Sequence, residues 1–159
     1  MVDQETFDRL LPRAREWAKA QEQFILDRGM PLDSRYTADA HRVGVRDNSR
    51  IRVLVVDRIP LPEDEELAAA ARHTQIMTGS CRGVALGHGI IIRADAWGDR
   101  ELILHQLVHV AQCERSGGLE SFVQCYLSDR HQCEEFSVGS LEEEARRIAR
   151  DICTADAGD

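Results

Sequence analysis

Leu102-Ile103-Leu104-His105-Gln106-Leu107-Val108-His109-Val110-Ala111-Gln112 holds two histidines inside the least polar helical stretch of the chain. Asp99 precedes it as an N-cap, and Gly117-Gly118 ends it, so the pattern predicts a helix from residue 100 to about Arg115. Apolar residues fall on nearly every side of that helix, which places it in the interior. Residues four apart share one helical face. His105 and His109 can therefore reach a single metal ion, since two imidazoles bind Zn²⁺ at about 2.0–2.1 Å each. The plain alternative is a pair of core histidines satisfied by neighbouring polar groups.

Working outward, the segment from Gly79 to Ile92 reads as extended structure. Val84-Ala85-Leu86 and Ile90-Ile91-Ile92 flank Gly87-His88-Gly89, the pattern of a hairpin or a bulged strand. Ile51 to Val56 is rich in β-branched residues and reads as another strand. Residues 5–28 form an amphipathic helix through Phe7, Leu10, Leu11, Ala14, Trp17, Ala18 and Ile25, ended by Gly29-Met30-Pro31. Trp17 and Phe24 read as packing residues. Shorter helices are expected over 35–44 and 63–72. Two more follow the glycine pair, one around Leu119, Phe122, Val123 and Tyr126, the other from Ser140 to about Cys153. Helices, then a small sheet, then helices make an α+β fold. The whole of 1–159 is expected to be one domain, with helix 1–30 packed on or over its core.

The composition agrees with a globular domain. The 159 residues are 43% hydrophobic and 30% charged, and a chain of this length buries roughly two thirds of its unfolded surface. Acidic residues outnumber basic ones 28 to 20, for a net charge of −8. That excess argues against a general grip on nucleic acid or an anionic membrane. The longest uncharged run, Leu102 to Cys113, falls short of the roughly 20 residues a spanning helix needs. No basic n-region with an apolar h-region opens the chain. Five cysteines without a Cys-x-x-Cys read as reduced thiols. These features lead to the expectation of a cytoplasmic protein of bacterial type.

Two histidines do not complete a metal site. The helix beginning at Ser140 carries Glu142, Glu143 and Glu144. Its apolar stripe is Leu141, Ala145, Ile148 and Ile152. At about 100° per residue, Glu144 lies about 60° from Leu141, Glu142 about 100° and Glu143 about 200°. Glu144 borders the stripe most closely and is the expected third ligand, with Glu142 next and Glu143 turned to solvent. Glu134 and Glu135, in the stretch His131-Gln132-Cys133-Glu134-Glu135, are fallbacks. His41, His73 and His88 read as surface residues, and Gln112 as having no special role.

The run from Leu102 to Gln112 resembles the active-site helix of zincin metallopeptidases, in particular small bacterial proteins whose helix reads His-Glu-Leu-x-His-Val-x-Gln. Glu144-Ala145 is similar to the later Glu that supplies the third ligand in gluzincins. The resemblance covers roughly residues 84–149. It implies a zincin-like domain, Zn²⁺ on His105, His109 and Glu144, and a peptide or protein as substrate. It also implies that Gly89-Ile90-Ile91-Ile92 is the edge strand that pairs with a peptide.

One departure governs the activity. Where the family has its general-base Glu, this chain has Gln106. An amide cannot accept a proton at neutral pH, and loss of a positioned general base costs typically 10²–10⁴-fold in rate. Gln106 is thus a substitution that traps an inactive enzyme, a natural residue in a peptidase-like protein that binds without cutting, or the sign of a different base, for which His88 and Tyr126 are candidates. The alternatives to an impaired peptidase are a non-catalytic peptide- or protein-binding module braced by zinc and a metal-free helical scaffold.

Overall fold

The computed structural model describes residues 2–74, 76–77, 80–131 and 139–158. Helix α1 (Gln4–Arg28) starts at Asp3, whose carboxylate accepts a hydrogen bond from the Thr6 amide. Strand β1 (Met30–Pro31), helix α2 (Ser34–Arg42), strand β2 (Arg52–Val56) and helix α3 (Glu65–His73) follow. Strands β3 (Gly83–Leu86) and β4 (Gly89–Arg93) form a hairpin. Helices α4 (Arg100–Arg115), α5 (Leu119–His131) and α6 (Ser140–Ala157) complete the chain. The mixed helix and sheet content agrees with the α+β expectation.

The sheet runs β1-β2-β4-β3. β2 and β4 are parallel, with Val53 opposite Ile90 and Val55 opposite Ile92, while both outer pairs are antiparallel. β4 is therefore an interior strand, covered on both faces, which is why it reads as unbroken isoleucine. This corrects the expectation that Gly89–Ile92 is the edge: among the described residues the edge strands are β1 and β3. The β3–β4 turn has Gly87 at φ 66°, a conformation that disfavours side chains. β1 was read only as the end of the first helix. Two residues carry no periodicity from which a strand could be read.

The core lies on both sides of the sheet. On one side Val53, Ile90 and Ile92 meet Ile103, Leu107 and Val110 of α4, with Tyr36 and Ala40 of α2. On the other, Leu86 and Ile91 meet Ala18 and Ile25 of α1 and Val123 of α5. Alternate residues of β4 thus supply both halves. Trp17 joins the second half, whereas Phe24 is 43% exposed and carries the Arg28 guanidinium over its ring. No helix among the described residues is long and apolar enough to cross a membrane.

His88 is not the surface residue the sequence suggested. Its side chain is mostly buried, and its Nε2 lies 3.0 Å from Glu114 Oε2 at the end of α4. Its amide donates to Glu22 of α1. Glu114 also accepts from the amides of Arg46 and Asp47, at 2.7 and 3.0 Å. Burial raises the Glu114 pKa, but these bonds outweigh it and leave the carboxyl below its ordinary value. A carboxylate with a folded pKa below its unfolded one stabilises above the unfolded value, near 4.3, and loses that contribution as pH falls through the folded value. Glu114→Gln is expected to cost about 1.5–3 kcal/mol at neutral pH, the range for hydrogen bonds to a charged group. The loss should shrink below pH ~4, as seen in urea unfolding across pH. A pH-independent loss would contradict this account.

Candidate metal centre

Helix α4 forms as its sequence predicts: the Asp99 side chain caps the Leu102 amide, and the helix ends before Gly117 and Gly118, both at positive φ. Its apolar sides bury it between the sheet and α6. His105 and His109 stand one turn apart on the side facing α5 and α6, with their Nε2 atoms 3.1 Å apart.

The orientation of α6 decides which carboxylate meets them. The buried residues of α6 are Ala145 and Ala149, at 0% and 1% exposure, and they mark the face the helix turns to the interior. Measured from midway between these alanines at roughly 100° per residue, Glu142 lies about 40° away and Glu144 about 120°. The ends of the helix are held as well. Asp129 of α5 accepts from Ser140 Oγ and the Leu141 amide. At the far end Asp156 pairs with Arg100 of α4 and Arg42 of α2, and Arg100 also pairs with the buried Asp39. Ala145→Leu is expected to push the helices apart and cost about 1–3 kcal/mol in urea unfolding, the usual penalty of overpacking. A neutral result would show that the contact is loose.

Glu142 Oε1 therefore lies 2.7 Å from His105 Nε2, and Oε2 lies 3.2 Å from His109 Nε2. Among the described residues His105, His109 and Glu142 form a group able to hold a metal ion. Burial raises the Glu142 pKa, yet the hydrogen bonds and charge of the two histidines dominate and hold the carboxyl well below the usual range. The group therefore carries an ionised carboxylate at neutral pH.

The expected third ligand, Glu144, is elsewhere. It accepts from Arg115 at 2.7 Å and from Gln112 Nε2 at 3.0 Å. The apolar stripe read from leucine and isoleucine points to the wrong flank of α6, because the face buried most deeply is that of Ala145 and Ala149, while Leu141, Ile148 and Ile152 are only half-buried. Glu143 is exposed, as expected. Glu134 and Glu135 lie outside the described residues.

Two supporting residues emerge. Gln112 Oε1 lies 2.8 Å from His109 Nδ1, while its Nε2 donates to the Leu141 carbonyl and to Glu144. Because that amide nitrogen is committed as a donor, Oε1 accepts the Nδ1 proton, which orients the His109 ring with Nε2 toward His105 and Glu142. Glu144 thus supports the group at one remove, through Gln112. The signal was present in the sequence, since Gln112 falls three residues after His109. Tyr126, weighed as an alternative base, donates its hydroxyl to Glu142 Oε2 at 2.9 Å. Burial first and the Glu142 charge second push its pKa up, so it acts as a donor and not as a base. His88, the other candidate base, is committed to Glu114, beyond the C-terminal side of the pair.

Gln106 is only 4% exposed and turns toward β3: its Nε2 would lie 3.4 Å from a Cβ placed on Gly83. His105, Gln106, His109, Tyr126 and Glu142 all border one cleft. The four described cysteines are free, and Cys81, at the rim of that cleft, donates to the Gly83 carbonyl. No protein-family model matches the chain, and neither a curated protein nor a solved structure matches it.

Proposed function

We propose that the chain binds Zn²⁺ through His105, His109 and Glu142 and is built as a zinc metallopeptidase impaired by Gln106. The observation that carries this reading is the convergence of the three side chains. In a tetrahedral zinc site with bonds of about 2.0–2.1 Å, ligand atoms stand roughly 3.3 Å apart. Here the two Nε2 atoms are 3.1 Å apart, Glu142 brings Oε1 to 2.7 Å from His105 and Oε2 to 3.2 Å from His109, and one ligand atom from each residue lies within 4.8 Å of the others. Two imidazoles and one carboxylate are the ligand set of open catalytic zinc sites, and the Gln112 bond to His109 is the outer support such ligands have.

When bound, zinc would polarise a carbonyl and acidify water at its open position. The protein would supply the rest. Glu142 provides the negative charge that offsets the cation, and Tyr126 fixes the plane of that carboxylate. Gln112 holds the ring of His109. Gln106, beside β3, can hydrogen-bond a water or a substrate carbonyl but cannot remove a proton. Binding and polarisation are retained, while proton transfer to a leaving amine is not.

His105→Ala should abolish stoichiometric zinc binding, measured by titration against a chromophoric chelator. Unchanged affinity would remove the basis for the proposal. The burial of Gln106 in the cleft favours a second reading, a peptide-binding module in which zinc is a brace. The two differ on chelation. A brace predicts a large loss of folding stability, whereas an open site predicts a smaller one together with inhibition of ligand binding by hydroxamates.

A further inference from the structure

We propose that Arg146 anchors a carboxylate at the metal group, and that this carboxylate is the free C-terminus of a bound peptide. This names a substrate class for the function proposed above, and it rests on that reading for the metal and for the peptide.

Arg146 stands one turn after Glu142 on α6, so the two side chains are neighbours on the helix surface. Its Nε is 3.9 Å from Glu142 Oε1, the same oxygen that lies 2.7 Å from His105 Nε2. Both residues border the cleft that runs from the metal group beneath α1. They differ in exposure. The Glu142 side chain is 18% exposed, whereas that of Arg146 is 56% exposed. The histidines hold the carboxylate inward, while the guanidinium beside it can meet a ligand from solvent. Two other arginines at the cleft are engaged closely. Arg82 pairs with Asp99 at 2.9 Å, and Arg130 donates to the Thr74 carbonyl at 3.0 Å. Arg146 meets Glu142 at the outer limit of an ion pair, so its fork keeps donors to spare. Glu101 also borders the cleft, but Glu142 is the carboxylate within ion-pair distance of Arg146.

Metal binding strengthens the pull on an anion. Zinc brings two positive charges and Glu142 offsets one of them. The loaded group therefore stays cationic, and Arg146 adds a further positive charge beside it. These cations repel each other until an anion joins them. A planar carboxylate matches the guanidinium fork, which binds it through two parallel hydrogen bonds. The short distance selects the source. Arg146 is so near the metal group that the anion and the carbonyl brought to the metal must be close together in the ligand, and successive residues of a chain are about 3.8 Å apart. A terminal carboxylate follows directly on the last amide carbonyl, whereas a side-chain carboxylate stands further out. The amide presented to the metal is then the last one of the peptide.

The test uses the unaltered chain, in which Gln106 suppresses turnover, loaded with zinc in a buffer of low ionic strength free of carboxylate and phosphate. Calorimetric titration with acetyl-Ala-Ala should show binding at least roughly tenfold tighter than with acetyl-Ala-Ala-amide. Arg146→Met should erase that difference, and Arg82→Met should leave it. Without peptide, Arg146→Met should bind zinc roughly two- to tenfold tighter than the parent chain, because a repelling charge is gone. Competition with a chromophoric chelator reads this second effect. Equal affinity for the two peptides, a preference that survives Arg146→Met, or zinc bound no tighter by Arg146→Met would overturn the proposal. Acetyl-Ala-Asp-amide and acetate supply a side-chain carboxylate and a free one. Either of them matching acetyl-Ala-Ala would keep Arg146 as the anchor and overturn the C-terminus as its source. Zinc stoichiometry on the same samples separates the proposal from the reading beneath it. A zinc-loaded chain without the preference defeats the Arg146 anchor alone. A chain that takes up no zinc defeats the metal reading and the anchor with it.

Discussion

Gln106→Glu is expected to raise zinc-dependent peptide hydrolysis by about 10²–10⁴-fold, the contribution of a positioned general base. The position is suited to that role. Gln106 follows His105 directly, is almost fully buried, and turns toward β3 beside Gly83. A carboxylate there could take a proton from water and return it to a leaving amine, which an amide cannot do. The substitution also places a second carboxylate in the cleft that Glu142 borders. Without a cation, desolvation and like charge destabilise that pair. The melting temperature of Gln106→Glu should therefore fall below that of the parent chain in chelator and recover on addition of zinc. Hydrolysis is measured on a mixed peptide library with and without chelator. No gain over the parent chain would count against the peptidase reading, even if zinc binds.

The second large effect separates the two carboxylates of α6. Glu142→Gln should weaken zinc binding by at least a thousandfold, roughly, because it removes the anionic ligand. Glu144→Gln should cost only about tenfold, the low end for a residue that supports a ligand from behind. The contrast follows from placement: Glu142 lies 2.7 Å from His105, whereas Glu144 is bonded to Arg115 and Gln112. Ligands must shed their protons to bind, so affinity in the parent chain should fall as pH is lowered. Competition against a chelator of known affinity measures both variants. A Glu144→Gln loss larger than that of Glu142→Gln would invert the assignment.

Much of this architecture was legible in the sequence, and the failures share one cause. The α4 helix announced itself through Asp99, Gly117 and a nearly continuous apolar surface, and β4 through its isoleucines. Such signals are local and depend only on propensity, capping and periodicity. The carboxylate that joins the two histidines was not local. Its choice turned on the rotation of α6, which is set by Ala145 and Ala149 at the contact and by Asp129 and Asp156 at the ends. Alanines weigh little in an apolar stripe, yet these two are the buried residues of α6. His88 was misread for the same reason, since its partners Glu22 and Glu114 lie far away in sequence. Strand order, which made β3 the edge, and the cleft beneath α1 depend on how α1, α3 and α5 are placed around the sheet. No single segment encodes that.

Elemental analysis of the purified, unaltered chain, with stoichiometry, tests the central claim most directly. One zinc per chain, lost in Glu142→Gln and retained in Glu144→Gln, is the predicted result. A folded chain without stoichiometric metal, or one whose zinc is indifferent to Glu142, would contradict it.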